Sequence, residues 1–196
     1  MRTGIFGGTF DPPHLGHLAF AQAAIEQLTL DEVLILPANR NPLKAGRVVA
    51  SGPDRLNMLT LAVKNHPMLA VCDIELTRGG PSYMVESLAE LHIVRPGDYW
   101  LLIGADSLLT FPKWKQPARI LRMCRLAAAR RGAHTREELP AWLPEEFRPS
   151  LDVIDLQPVD ISSTEIRERI SLKQPVGPWL EPEVLQYIEA HRLYRS

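Results

Sequence analysis

The 196 residues hold 22 Lys and Arg against 23 Asp and Glu, a formal net charge of -1, and 45% are hydrophobic. That length and apolar content suffice for one sizeable core, so a single domain over residues 1–196 is expected, and the balanced charge excludes a broad nucleic-acid-binding surface. Cys72 and Cys124 are too few and too far apart for a disulfide framework. With no apolar run long enough to span a membrane and no leader-like start, the expectation is a cytoplasmic protein without membrane partners.

Arg2 to Phe6 predicts a short buried strand. After Gly7-Gly8 and Pro12-Pro13, Leu15, Leu18, Ala19, Gln22, Ile25 and Leu28 recur at helical spacing, with Asp11 the expected N-cap and a proline in the first turn. A strand, a glycine turn and a helix start make an anion seat: unpaired N–H groups, the positive end of the helix dipole, and room for close approach. His14 and His17 lie three apart and so share one helix face beside that seat. Gly16 between them costs about 1 kcal/mol against Ala in a helix, and the expected gain is room for a ligand. Gly-Gly before a helix is equally an ordinary tight turn, and the histidines equally a surface pair. With six His and two distant Cys, no zinc-type cluster forms, and no metal held by protein side chains is expected.

Val33-Leu34-Ile35-Leu36 predicts a second strand buried on both faces. Its carboxyl end carries Asn39-Arg40-Asn41-Pro42-Leu43-Lys44, a basic loop that faces the glycine turn if the sheet is open and parallel, or else an ordinary solvated loop. Ser51, with Asp54 three residues on, predicts a capped helix with a stripe of Leu56, Leu59, Ala62 and Val63. Leu69 to Cys72 is a third strand and Arg78-Gly79-Gly80-Pro81 a turn. Ser82 then caps a helix whose Val85, Leu88 and Leu91 face inward. Tyr99 to Ile103, the most continuous apolar run, predicts the central strand and delivers Gly104-Ala105-Asp106-Ser107, where Asp106 either accepts from ribose hydroxyls or caps the next helix.

Trp114 lies between Lys113 and Lys115 in a Pro-bounded loop, an aromatic plane beside cations that suits an anionic ring. Pro117 to Met123 is a short helix, Arg125 to Arg130 a fifth strand, residues 133–149 a surface insertion or short helix, and Leu151 to Leu156 a sixth strand. Ser162-x-x-Glu165 predicts a capping box and a second anion seat at a helix start, with Arg167 one turn on; it is equally a well-capped helix and nothing more. Pro182 to Tyr194 is an amphipathic packing helix. Strands alternating with helices imply an α/β fold, a doubly wound parallel sheet in one domain.

Gly7-Gly8-Thr9-Phe10-Asp11-Pro12-Pro13-His14-Leu15-Gly16-His17 resembles the His-x-Gly-His signature of a nucleotidyltransferase superfamily with a Rossmann-like fold, and within it the bacterial nicotinate-nucleotide adenylyltransferases. Looser similarities run from residue 5 to 194: Pro81-Ser82-Tyr83-Met84, Gly104 to Leu109 followed by Trp114, Ile161 to Arg167, and Tyr187-Ile188 with Leu193-Tyr194. Leu43 replaces a histidine of the family pattern and Met84 a threonine. The resemblance implies transfer of AMP from ATP to nicotinate mononucleotide, giving deamido-NAD and pyrophosphate in NAD biosynthesis, with Mg²⁺ carried by the ATP phosphates.

It also implies that Gly8, Thr9, Phe10 and Gly16 line the nucleotide cleft and that His17 meets the α-phosphate and His14 its neighbours. Lys44, Arg131, Ser162, Ser163, Thr164 and Arg167 would hold the remaining phosphates. Asn39, Lys44, Tyr83, Met84, Gly104, Asp106, Trp114 and Lys115 would select the acceptor. Alternatives are a pantetheine-phosphate, nicotinamide mononucleotide or cytidylyl-transferring relative, or a non-catalytic nucleotide-binding module. A class I synthetase loses ground for want of Lys-Met-Ser-Lys-Ser, and a dehydrogenase because the first turn is Gly4-x-x-Gly7-Gly8. Oligomeric state is left open.

Overall fold

The computed structural model describes residues 1–42, 48–130, 138–156 and 161–195. Among them, six strands form one sheet: β1 (Arg2–Gly8), β2 (Glu32–Pro37), β3 (Leu69–Val71), β4 (Asp98–Gly104), β5 (Arg125–Arg130) and β6 (Leu151–Asp155), in the order β3-β2-β1-β4-β5-β6. Every neighbouring pair runs parallel. The helices are α1 (Leu15–Leu28), α2 (Gly52–Val63), α3 (Ile74–Arg78), α4 (Met84–Val94), α5 (Ala105–Thr110), α6 (Pro117–Met123), α7 (Glu138–Ala141), α8 (Ser163–Ser171) and α9 (Pro182–Ala190).

Strand side chains alternate between faces, and the core divides accordingly. Phe6, Val33, Ile35, Trp100, Leu102, Ala127 and Ala129 face α1, α2, α8 and α9. Ile5, Leu34, Leu36, Tyr99, Leu101, Ile103, Leu126 and Ala128 face the layer of α4 to α7. A parallel sheet covered on both faces needs apolar residues at both parities, which is why Val33 to Leu36 and Tyr99 to Ile103 are unbroken apolar runs. From β1 the chain winds outward through β2 to β3, then returns to β4 beside β1 and winds the other way. The switch point between β1 and β4 is where open α/β sheets bind ligands. Gly8 pairs with Pro37 and Gly104 with Ala129, so the strands end level and their following loops share one edge.

Several elements differ from expectation. The inward face of α2 is Arg55, Met58, Leu59 and Ala62, one residue round from the predicted stripe, because Arg55 is buried with its charge hydrogen-bonded. Strand β3 stops at Val71, one residue short of its expected end, and α3 takes in Arg78, the expected start of a turn. Tyr83, not Ser82, caps α4; the Ser82 hydroxyl accepts the Asn39 N–H instead, at 2.9 Å. Of the surface insertion or short helix expected at 133–149, the short helix is present as α7, and Leu139 and Leu143 are core residues. Both cysteines are free; burial pushes the Cys72 thiol up, and the Cys124 thiol up to about 12. Leu101, 1% exposed on β4, is packed within the second core. Leu101→Ala will cost about 2–5 kcal/mol, read as a lower urea midpoint with an unchanged slope.

Candidate active site

The β1–α1 turn does not fold as a glycine turn. Gly7 and Gly8 remain in β1, and the left-handed residue is Phe10, at φ 50°. The missing side chains serve packing: a Cβ at Gly8 would lie 2.8 Å from the Phe10 ring, and one at Gly7 2.7 Å from Met84 Cε. Phe10 is buried edge-on against Phe6 and His17, so it offers a ligand its backbone and not its ring. The Thr9 hydroxyl is buried and finds no partner among the described residues.

Asp11 does not cap α1. The cap is His14, with extended backbone, and Pro12-Pro13 precede the helix. His17, at the third helical position, receives the His14 N–H on Nδ1 at 3.1 Å, and the two imidazoles stack with centroids 3.6 Å apart. A donor on Nδ1 leaves the proton of the neutral His17 ring on Nε2. The pair is therefore one rigid unit at a helix start, with His17 half-buried and Gly16 buried between them.

The second seat lies against the first. Ser162 caps α8, its hydroxyl accepting the Glu165 N–H at 3.1 Å, while the Glu165 carboxylate binds Arg169. The first-turn N–H groups of Ser163 and Thr164 carry the positive end of the dipole. The Ser163 hydroxyl donates to Pro12 O at 2.8 Å, and Arg167 donates to Asp11 O at 2.7 Å and to the Thr164 hydroxyl at 3.2 Å. Ser163 and part of Arg167 thus fasten α8 to the β1–α1 turn, and the expected ligands His14, His17, Ser162, Ser163, Thr164 and Arg167 do come together.

On the acceptor side, Asn39 braces the loop before α4: its backbone N–H binds the Ser82 hydroxyl and its side-chain amide donates to Gly80 O at 2.8 Å. Lys115 donates to Glu86 at 2.6 Å and lies 4.1 Å from the Tyr83 ring centroid, which docks the Trp114 loop on the start of α4. Trp114 is half-buried against the second core and tilted on Phe111, so it presents less open surface than its lysine-flanked position suggests. Met84 reaches back to Gly7 and joins this side to the β1 turn. Gly104 ends β4, and Asp106 is exposed in the first turn of α5, where it hydrogen-bonds none of the other candidates among the described residues. Lys44 and Arg131, together with Leu43, lie outside the described residues.

Three buried polar residues at this edge escape sequence reasoning. Arg55, 2% exposed, donates from one nitrogen to Thr9 O at 2.8 Å and Ala38 O at 2.7 Å. Asp11, 3% exposed, accepts from Val49 N–H, Ala50 N–H and the Tyr194 hydroxyl. Glu75 underlies the loop before α4; it accepts from the Ser87 hydroxyl at 2.6 Å, which in turn accepts from Arg78. An arginine inside an apolar helical stripe was the one visible sign, since such a charge is buried only where carbonyls or anions wait for it.

With this geometry in place, likeness to known proteins is informative. Residues 5–169 match the family described as cytidylyltransferase-like. A "Probable nicotinate-nucleotide adenylyltransferase" of Roseiflexus sp. strain RS-1 is 43% identical, over 98% of this chain and 97% of its own. One of the same name from Dehalococcoides mccartyi strain BAV1 is 38% identical, over 99% and 97%. The chain belongs to the cytidylyltransferase-like family, in its nicotinate-nucleotide adenylyltransferase branch. The fold of this family recurs in the solved Plasmodium falciparum nicotinic acid mononucleotide adenylyltransferase complexed with NaAD, at 17% identity and a TM-score of 0.80, covering 98% of this chain and 97% of that one.

Burial is the largest influence on Glu75 and raises its carboxyl above the usual 4.5. A raised folded value means stability that is fully present below the unfolded pKa and lost as pH rises through the folded one. The difference between the wild-type and Glu75→Gln stability curves will therefore shift against the wild type as pH climbs above about 4.5, measured by urea unfolding across pH; curves that stay parallel contradict it.

Proposed function

We propose that this edge of the sheet transfers AMP from ATP to nicotinate mononucleotide, releasing pyrophosphate and forming deamido-NAD. The observation that carries the reading is the docking of α8 on the β1–α1 turn through Ser163 and Arg167, which sets two helix starts and a stacked histidine pair around one space. One anion seat suits a single phosphate; two facing seats suit a polyphosphate chain.

A phosphate oxygen of the mononucleotide attacks the α-phosphorus of ATP, and the bond from that phosphorus to the bridging oxygen of the β-phosphate breaks. The nucleophile is already ionised near neutral pH, so no serine, cysteine or strong base is required. Catalysis is alignment and charge stabilisation. His17, its Nδ1 taken by the His14 N–H, presents Nε2–H to the α-phosphate and follows the charge that develops there. His14, the Ser163 and Thr164 N–H groups, the Ser162 cap and the remaining Arg167 donors hold the β- and γ-phosphates, with Lys44 and Arg131 completing the set. Gly8, Thr9 and the Phe10 backbone line the nucleotide cleft.

An Mg²⁺ ion carried on the ATP oxygens would supply neutralisation of the charge on the leaving pyrophosphate. No protein ligand is assigned to it. The acceptor enters over the start of α4, where Tyr83, Met84, Trp114 and Lys115 form one wall and Gly104 and Asp106 close the β4 side. Free, apolar-packed thiols suit the cytoplasm.

Pyrophosphate release followed with ATP and each mononucleotide separately tests the reading. Nicotinate mononucleotide will be the better acceptor; equal use of nicotinamide mononucleotide overturns the acceptor assignment, and no release with either overturns the reaction. His17→Ala will lower kcat by roughly 10²–10³ with the far-ultraviolet circular dichroism unchanged; turnover near that of the wild type removes the role given to His17.

A further inference from the structure

The β1–α1 turn is held by its carbonyls. Arg55 takes Thr9 O, Arg167 takes Asp11 O, and the Ser163 hydroxyl takes Pro12 O. A trans peptide unit is planar with its C=O and N–H opposed, so fixing the Thr9 carbonyl on Arg55 turns the Phe10 N–H away from α2. Pro12 and Pro13 have no N–H to orient, and the Phe10 amide is thus the donor that this clamp aims. Arg55 also takes Ala38 O, which couples the end of β2 to the same clamp.

The Asp11 side chain ties the rest together. Its Oδ1 accepts the Tyr194 hydroxyl at 2.7 Å and the Ala50 N–H at 3.1 Å, and its Oδ2 the Val49 N–H at 2.8 Å. Val49 and Ala50 lie on the chain between Lys44 and α2. Tyr194, beyond α9, is buried against Met58 with its phenol held in the proton-donating form by burial and the neighbouring carboxylate. A buried carboxylate is an expensive fastener for a tail that apolar contacts hold as well, because replacing buried charge with apolar packing is often neutral or stabilising. What Asp11 fixes, and packing does not, is the position of the backbone on either side of the histidine pair.

We infer that Tyr194, acting through Asp11, is a positioning residue for adenylyl transfer: its hydroxyl holds the buried carboxylate where the β1–α1 turn meets the segment leading into α2. The inference rests on the functional reading above. Removing the hydroxyl leaves Asp11 its two amide partners and the ring its packing, so the protein folds while the turn gains freedom. Misplacement of that kind acts on the reacting geometry more than on acceptor binding, which involves the other side of the crevice.

Tyr187→Phe is the matched control. It also deletes a tyrosine hydroxyl that donates to an aspartate, Asp54 at 3.0 Å, from α9 onto α2, but its partner is at the outer face of α2 and not at the turn. Pyrophosphate release by wild type, Tyr194→Phe and Tyr187→Phe is compared with ATP and nicotinate mononucleotide, below the thermal unfolding onset of each. Tyr194→Phe will lower kcat about tenfold with the acceptor KM unchanged, and Tyr187→Phe will keep the wild-type kcat. Wild-type kcat in Tyr194→Phe, an equal loss in Tyr187→Phe, or a loss confined to KM overturns the inference alone. A wild type that releases no pyrophosphate overturns the functional reading beneath it.

Discussion

A carboxylate sealed from water must find its partners inside the protein, and Asp11 does so by reaching two separate parts of the chain. Two backbone amides before α2 and the phenol beyond α9 all converge on it, and Arg55 and Arg167 hold the carbonyls around it. Each of these groups would be costly to bury alone. Together they partner one another, and the arrangement they make puts the stacked histidines beside the start of α8. The site is thus specified by the demand for hydrogen bonds, while the apolar core supplies most of the burial.

The sheet gives this network its setting. Level strand ends place the loops after β1, β2 and β4 on one edge, and the reversal of winding direction between β1 and β4 leaves the crevice there open. Side chains from the two halves meet over β1: Met84 fills the space that Gly7 leaves, and Phe10 the space that Gly8 leaves. The glycines permit side chains, not only a ligand, to approach the backbone, so the floor of the crevice is packed before any nucleotide arrives.

The elements were legible where pattern and burial coincide. Parallel strands covered on both faces must be continuously apolar, so β2 and β4 stood out, and Pro117 to Met123 and Arg125 to Arg130 match their observed bounds. The Ser51 and Ser162 caps were equally plain, because a hydroxyl before a helix has one common use. Asp11 was misjudged by the same rule. It resembles a cap in sequence, but its partners are 38, 39 and 183 residues away and leave no local trace. Arg55 and Tyr194 were missed for that reason too, and the face of α2 was set one residue off because a buried arginine violates the apolar pattern.

Those long separations bear on the order in which the molecule is built. The entropic cost of closing a loop grows with its length, so contacts between residues 11 and 194, 11 and 167, or 12 and 163 become worthwhile only when the intervening strands have already paired. The histidine pair is synthesised well before Ser163, Arg167 and Tyr194, the groups that fix its surroundings. A chain with its sheet formed but α8 and Tyr194 undocked would carry every chemical group of the turn but lack three of the hydrogen bonds that hold it. Nucleotide handling is thereby tied to completion of the fold.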